Sequence, residues 1–207
     1  MAPLPLKVHR PQAPLFDAGS TAELPSSPTV LLLVDFINPL QFPLASRLAP
    51  AARAAAKATA MLKNRLRRDG VLTIHANDNY GQWTSDFAST LSYCLSRGGV
   101  AAEMATTLKP NRGDLVILKP RHSAFFATPL ELVLAQTHAK RLIIAGLATD
   151  ICVQLTAMDA SLRGYALWVP RDCNAAERAD EKAQALVYMH RVLKADIRAS
   201  TTKRKLA

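Results

Sequence analysis

Short, uninterrupted apolar runs recur along the chain, and longer stretches with helical periodicity separate them. Such runs are typical of strands that are buried on both faces of a parallel sheet. Five are predicted as strands: TVLLLVD (29–35), VLTIHAND (71–78), DLVILK (114–119), RLIIAG (141–146) and YALWVPRD (165–172). A sixth strand is expected around residues 195–200.

Between these runs, apolar residues return every three or four positions, which predicts helices. The predicted helices span residues 45–70, 128–139, 149–164 and 176–194, whereas the less regular residues 79–113 are predicted to form a loop with a short helix. Because strands and helices alternate, the fold class is α/β. We expect a three-layer α/β/α arrangement in which helices flank an open, mainly parallel sheet of about six strands.

The chain of 207 residues is long enough for one domain, which we assign to residues 29–200. Six of the first 28 residues are proline, so residues 1–28 are predicted to form an extended arm. Residues 201–207, TTKRKLA, are predicted to form a basic tail. No run approaches the ~18 apolar residues of a membrane span, so we expect no membrane association.

The composition narrows the class of protein further. Three cysteines without a CxxC pair indicate a reducing compartment, and we expect a cytoplasmic location. The formal net charge is +10, from 26 basic and 16 acidic residues. The basic residues cluster in the tail and in KNRLRRDG (63–70) without interleaved aromatic residues, so a nucleic-acid partner is not expected.

Polar residues follow several of the predicted strands at the edge where open α/β sheets bind ligands. Asp35 ends the first strand, Lys119 ends the third, and Cys152 opens the helix after the fourth. An acid, a base and a thiol at one edge form a candidate nucleophilic site. Asp78 and Asp172 end the second and fifth strands, and we interpret them first as turn or capping residues.

Each candidate also has a structural interpretation. In the structural interpretation, Cys152 is a small core residue. In the functional interpretation it lies in the first turn of a helix, where the helix dipole and a nearby lysine would stabilise its thiolate. Asp35 would otherwise cap the following segment, and Lys119, which precedes a proline, would otherwise be a solvated loop residue. Cys94 and Cys173 lack a comparable setting and are interpreted as structural.

Three segments together resemble the isochorismatase-like cysteine hydrolases, a family that includes nicotinamidases and other small amidases. They are LLLVDFINPL, VILKPRHSAFFATPLELVLAQ and LIIAGLATDICVQLTAMDASLRGYALWVPRDCNAA, and the resemblance extends over about residues 30–176. It implies that Asp35, Lys119 and Cys152 form a catalytic triad. It also implies a homo-oligomer, either a dimer or a tetramer.

The resemblance further implies a cis peptide bond between Leu147 and Ala148, and an oxyanion hole formed by the N–H groups of Ala148 and Cys152. The sequence departs from the family pattern in two places. Ile37 stands where many relatives have glutamine, and NDNYGQW (77–83) lacks the histidines of the nicotinamidase metal site. We therefore expect no metal and no cofactor.

The predicted function is a cysteine-dependent hydrolase that cleaves the C–N bond of a small molecule through a covalent thioester. The alternatives are an isochorismatase-like or ester hydrolase on the same scaffold, and a non-catalytic binding or scaffold protein. The residues predicted to contact the substrate are Phe36, Asn38, Tyr80, Trp83, His122 and Phe125. For Tyr80 and Trp83, a role as a lid or as a subunit contact is equally open. His122 is otherwise a surface residue, and Asn38 otherwise forms a turn before Pro39.

Overall fold

The computed structural model describes residues 23–202 and places six strands and six helices in that range. The strands are β1 (Thr29–Val34), β2 (Leu72–Asp78), β3 (Leu115–Lys119), β4 (Arg141–Leu147), β5 (Ala166–Trp168) and β6 (Asn174–Ala175). The helices are α1 (Ala45–Arg68), α2 (Phe87–Arg97), α3 (Gly99–Leu108), α4 (Leu130–Gln136), α5 (Gln154–Leu162) and α6 (Ala179–Arg191). The first 22 residues of the predicted arm and residues 203–207 of the predicted tail lie outside the described residues.

The strands form one parallel sheet in the order β3-β2-β1-β4-β5, and β6 pairs with the far end of β4. Helices cover the sheet, which confirms the predicted α/β class. The central strand β1 is buried along its whole length, as its uninterrupted apolar sequence predicted.

Successive residues of β1 supply two separate apolar cores because side chains alternate between the faces of a strand. Val30, Leu32 and Val34 pack in the core that also contains residues of α4, α5 and α6. Leu31 and Leu33 pack in the core that contains residues of α1 and α3. Each fully buried side chain of this kind contributes roughly 1.5–3 kcal/mol, so the central strand holds both helical layers to the sheet.

Residues 79–113 contain more structure than the sequence pattern predicted. Two helices, α2 and α3, occupy most of this stretch instead of one short helix. The Asp86 side chain accepts a hydrogen bond of 2.7 Å from the N–H of Ser89 and so caps the start of α2. Gly98 and Gly99 both have positive φ angles, and the turn that they form separates α2 from α3.

The prediction of a sixth strand around residues 195–200 is wrong. In that stretch Asp196 forms only an isolated bridge with Trp168. The sixth strand is instead the two-residue β6, which continues the parallel pairing of β4 beyond the end of β5. β5 itself ends at Trp168, and a 3-10 turn (Arg171–Cys173) follows Pro170, which lacks the N–H donor that a longer strand would need.

Close backbone packing joins β1 to β4 where both strands end. Gly146 pairs with Val34, and a Cβ atom at position 146 would lie 2.3 Å from the Val34 carbonyl oxygen. Only glycine fits there without moving a strand. Asp35 follows with a φ of 54°, a left-handed conformation that aspartate tolerates better than most residues. The chain therefore turns sharply at the carboxyl end of the sheet.

Candidate active site

Lys119 is the centre of a buried polar cluster at this edge of the sheet. Its Nζ atom lies 2.8 Å from Asp35 Oδ2, 3.4 Å from Asp78 Oδ2 and 3.7 Å from Cys152 Sγ. The lysine side chain is fully buried, and that of Asp35 is 6% exposed. The structure therefore brings together the three residues that the sequence analysis selected from three different strand ends.

The backbone after β4 presents Cys152 to this cluster. The Leu147–Ala148 peptide bond is cis, at the position that the resemblance implied. A π-helical turn (Thr149–Val153) follows directly and carries the thiol, and α5 continues from it. The Ala148 carbonyl accepts hydrogen bonds of 3.2 Å from the N–H groups of Ile151 and Val153, which fixes the turn.

The protonation state of the Cys152 thiol differs from the thiolate that the sequence led us to expect. Burial, and then the negative charge of Asp35, raise its pKa to about 12, although Lys119 acts in the opposite direction. The expected stabilisation of the thiolate is therefore wrong for the resting protein. The sequence identified the nearby lysine, but it did not show that the fold removes the thiol from solvent. Removal from solvent favours the neutral thiol. A base must remove the proton before the sulfur attacks.

Asp35 is placed to be that base. Burial raises the pKa of its carboxyl group, and the attraction of Lys119 only partly offsets this effect. The carboxylate accepts a hydrogen bond from the Cys152 thiol and another, of 2.8 Å, from the N–H of Asp78. Burial acts to lower the pKa of Lys119, but the negative charges around it, Asp35 first, outweigh burial and raise that pKa. Lys119 therefore remains a cation beside the acid and the thiol.

A cavity of about 570 Å³, here called the site cavity, opens beside the cluster. It reaches the cluster through Asp78, and its His122 Nδ1 atom lies 3.9 Å from the Cys152 sulfur. The volume suits a small molecule. The residues that line it are Asp78, Asn79, Gly81, Trp83, Pro120, Arg121, His122, Phe126 and Ala127.

The predicted substrate-contacting residues lie in three environments: the site cavity, a neighbouring cavity and the buried cores. Trp83 and His122 line the site cavity, and Trp83 is 80% exposed. Asn38 and Tyr80 line a neighbouring cavity of about 570 Å³, which shares Asn79 with the site cavity. The Asn38 side chain accepts a hydrogen bond of 2.8 Å from the N–H two residues later, so it forms the turn that was its structural alternative.

The prediction that Phe36 and Phe125 line the substrate cavity is corrected, because both side chains are buried in the cores. Phe36 is fully buried in the core on the α1 side of the sheet. Phe125 is 6% exposed in the opposite core, and the Arg163 guanidinium lies 4.7 Å from the centre of its ring. Phe36 directly follows Asp35, and Phe125 lies six residues after Lys119. These positions indicated that both residues are near the site but gave no information on side-chain direction.

Other polar and sulfur-containing residues fall into clear groups. Cys94 and Cys173 are fully buried, in keeping with their structural interpretation. Asp172 binds the N–H and hydroxyl groups of Ser200 at 2.7 and 2.6 Å and so has a structural contact. Asp78, in contrast, contacts Lys119 and borders the site cavity, although we interpreted it first as a turn residue. Its place at the end of a strand was the only signal of this role.

Within residues 23–202, no helix is both long enough and apolar enough to span a bilayer. Among the same residues, no group of three or more histidine, cysteine, aspartate or glutamate side chains is arranged to hold a metal ion.

Residues 29–199 match the sequence model of a protein family, the isochorismatase domain. The uncharacterized isochorismatase family protein YaaI of Bacillus subtilis (strain 168) is 34% identical over 167 residues, which cover 81% of this chain and 91% of that protein. Maleamate amidohydrolase of Pseudomonas putida is 29% identical over 158 residues, 72% of this chain and 73% of that enzyme. The crystal structure of N-carbamoylsarcosine amidase from Thermoplasma acidophilum aligns with a TM-score of 0.67 and 27% identity, covering 86% of this chain and 99% of that one.

Proposed function

The chain belongs to the isochorismatase family and is a hydrolase, and from this premise we propose that it cleaves the C–N bond of a small amide through a thioester on Cys152. Two similar proteins, maleamate amidohydrolase and N-carbamoylsarcosine amidase, are amide hydrolases by name. The substrate is a small molecule that enters through the site cavity. Asp35, Lys119 and Cys152 are the proposed catalytic residues.

The contact of a thiol with a buried lysine–aspartate pair carries this proposal. Cys152 Sγ lies 3.7 Å from Lys119 Nζ, and its thiol donates a hydrogen bond to Asp35. A neutral thiol beside a desolvated carboxylate has an acceptor for its proton, and the adjacent ammonium stabilises the thiolate that forms. A cysteine that served only to fill the core would not need these two charged partners.

Acylation follows from these contacts. Asp35 removes the proton of Cys152 as the sulfur attacks the amide carbonyl carbon, and the carbonyl π electrons move to oxygen. The N–H groups of Ala148 and Cys152 are the proposed donors to this oxyanion; removal of one such donor typically lowers the rate ~10²–10³-fold. The C–N bond then breaks, and Asp35 returns the proton to the departing nitrogen.

Deacylation restores the enzyme. Water attacks the thioester carbonyl carbon, the C–S bond breaks, and the acid leaves as Cys152 regains its proton. Division of the reaction into two steps replaces one difficult displacement by two with lower barriers. The same acyl transfer accepts activated esters, because their leaving groups depart more readily than an amine.

The proposal is tested by ammonia release from maleamate, N-carbamoylsarcosine and nicotinamide, each incubated with the wild type and two variants. Cys152→Ala should lower the rate on any accepted amide by at least ~10³-fold, since no other group replaces the thiol. Cys94→Ala removes a buried thiol outside the site and should retain the rate within about threefold. An unchanged rate in Cys152→Ala would refute the covalent mechanism.

Assembly into a dimer or tetramer is part of the same proposal. Leu162 on α5 is 85% exposed and Phe126 beside the site cavity is 56% exposed, and exposed apolar side chains of this size favour burial against another subunit. Light scattering coupled to gel filtration measures the mass in solution. A monomer at micromolar concentration would contradict this part of the proposal.

A further inference from the structure

His122 is a second titratable group beside the sulfur, and it is exposed whereas Asp35 is buried. Its Nδ1 atom lies 3.9 Å from Cys152 Sγ, and its side chain lines the site cavity. Asp35, in contrast, is almost inaccessible, since its side chain is 6% exposed. The sulfur therefore has two acid–base neighbours, a buried carboxylate and an imidazole that lines the cavity.

Two hydrogen bonds hold the segment that carries His122 against α5. The Ser123 hydroxyl donates to Asp159 at 2.5 Å, and the Ala124 N–H donates to the Thr156 hydroxyl at 3.0 Å. That same hydroxyl donates a bond of 2.6 Å to the carbonyl oxygen of Cys152. One threonine thus connects the backbone next to His122 with the backbone of the nucleophile. These hydrogen bonds therefore hold the segment that carries the imidazole and the residue that carries the sulfur in a fixed relation.

The proposed acyl group creates a need for a base at this position. Once Cys152 carries an acyl group, the attacking water comes from solvent that enters the site cavity. Asp35, whose side chain is 6% exposed, has little access to that solvent. His122 is a neighbour of both the sulfur and the cavity, and a neutral imidazole accepts a proton from water at neutral pH.

We propose that His122 is a further catalytic residue, which acts as the base of deacylation and then returns the proton to the sulfur. This inference rests on the proposed thioester mechanism. The step divides the two proton transfers between two groups: Asp35 acts in acylation and His122 in deacylation.

The atoms balance in this step. An oxygen lone pair of water forms the new C–O bond while His122 Nδ1 takes one water proton, and the carbonyl π electrons move to oxygen. The carbonyl then re-forms as the C–S bond breaks, and the electron pair of that bond remains on sulfur. The imidazolium gives its proton to the sulfur, so that acid, thiol and neutral imidazole result.

p-Nitrophenyl acetate separates the two steps without knowledge of the natural substrate. Nitrophenolate release during the first turnover reports acylation, and the steady-state rate reports deacylation. In His122→Asn the initial burst should change by less than about threefold, while the steady-state rate should fall ~100-fold, within the range of general-base catalysis. His138→Asn is the matched control, because His138 is exposed, away from the site, with a φ of 56° that asparagine tolerates.

One further measurement distinguishes catalysis from a structural effect. Added imidazole should restore part of the steady-state rate of His122→Asn alone, after subtraction of the enzyme-free reaction. Equal unfolding midpoints in urea show that the variants remain folded.

The possible failures are separable. A wild type with neither a burst nor an acylated Cys152 would overturn the proposed function and this inference together. A normal burst with an unchanged steady-state rate in His122→Asn would overturn the inference alone and leave Cys152 as the nucleophile. A loss that imidazole does not restore would also contradict a role as base.

Discussion

Two buried lysine–aspartate pairs lie at opposite ends of β3. Lys119 closes the strand and pairs with Asp35 at 2.8 Å. Asp114 directly precedes the strand and pairs with Lys63 at 2.6 Å, where the two side chains are 9% and 4% exposed. The pairs are similar in residue type, separation and burial, and the first also has a thiol and a cavity beside it.

The two aspartates differ in the direction of their pKa shifts. Burial raises the pKa of both, but at Asp114 the hydrogen bonds from His75, Lys63 and the Asn111 N–H outweigh it and lower the pKa to about 2. At Asp35 burial prevails, and its pKa is raised. A pair that strongly stabilises its carboxylate contributes to folding, whereas a pair that leaves its carboxylate basic provides a proton acceptor. An ion pair alone therefore does not identify an active site.

Each lysine–aspartate pair has a third partner, Cys152 in the first cluster and His75 in the second, and the surroundings of these two residues also differ. Cys152 contacts Lys119 and His122, and His122 lines the site cavity. His75 lies 3.4 Å from both Lys63 Nζ and Asp114 Oδ2 and is fully buried. The His75 ring packs edge-on against Phe87 at 6.0 Å between ring centres. This cluster lies away from the carboxyl ends of the strands, where ligands bind in such folds.

The largest expected difference between the two clusters is in catalysis. Asp35→Asn removes the proposed base of acylation and should lower kcat/KM for an accepted amide ~10²–10⁴-fold. Asp114→Asn alters a carboxylate of the same type at the other end of β3 and should change kcat/KM less than about fivefold. Steady-state kinetics with both folded variants checks the contrast. An equal loss in a stable Asp114→Asn would remove the distinction between the two clusters.

The second difference concerns the free energy of unfolding. Lys63→Met leaves Asp114 buried without its cation and should lower this free energy by about 3 kcal/mol, as expected for a broken buried pair. Lys57→Met alters an exposed lysine of the same helix and should cost less than ~0.5 kcal/mol. Urea unfolding measures both. Equal midpoints for the two variants would show that the Lys63 cluster contributes nothing to stability.

The smallest expected effect is a pH dependence of opposite sign in the two clusters. Burial lowers the pKa of His75 from its model-peptide value of 6.5, so the unfolded chain binds a proton first, and stability should fall by ~1 kcal/mol or more as the pH drops below 6.5. Asp35 has a raised pKa, so the folded chain binds a proton first, and its contribution to stability should increase as the pH falls.

Urea unfolding between about pH 7.5 and pH 5 resolves these contributions. His75→Gln should flatten the loss of stability on acidification, and Asp35→Asn should make that loss steeper. The lowered pKa of Asp114 acts only at more acidic pH, since its contribution is lost as the pH falls from 3.8 toward 2. A His75→Gln variant that loses stability on acidification as the wild type does would contradict the assignment to His75.

The sheet was predictable because buried parallel strands have a strong sequence signal. TVLLLVD and RLIIAG appear as central strands, and the end of each predicted strand marked where polar side chains would meet. β6 was not predictable, since two residues cannot show periodicity and their pairing depends on the register of β4. The helices α2 and α3 were missed because their caps and glycine turn are weak signals in an irregular stretch.

The site was predictable in its members but not in its energetics. Strand ends identified Asp35 and Lys119, and the turn after β4 identified Cys152. The sign of the thiol pKa shift depends on how much solvent the fold removes, which no local pattern records. Asp78 was missed for a related reason: a carboxylate at a strand end suits both a turn and an ion pair, and only the fold brings it within 3.4 Å of Lys119.

The central claim is that the thiol beside Lys119, and no group of the Lys63 cluster, forms a covalent intermediate. Wild-type protein quenched during the first turnover of p-nitrophenyl acetate, digested and examined by peptide mass spectrometry, tests it most directly. The account predicts one acetyl group on the peptide that contains Cys152, and none on the same peptide from Cys152→Ala. An unmodified Cys152 during turnover, or an acetyl group that is required for turnover but resides on another residue, would contradict it.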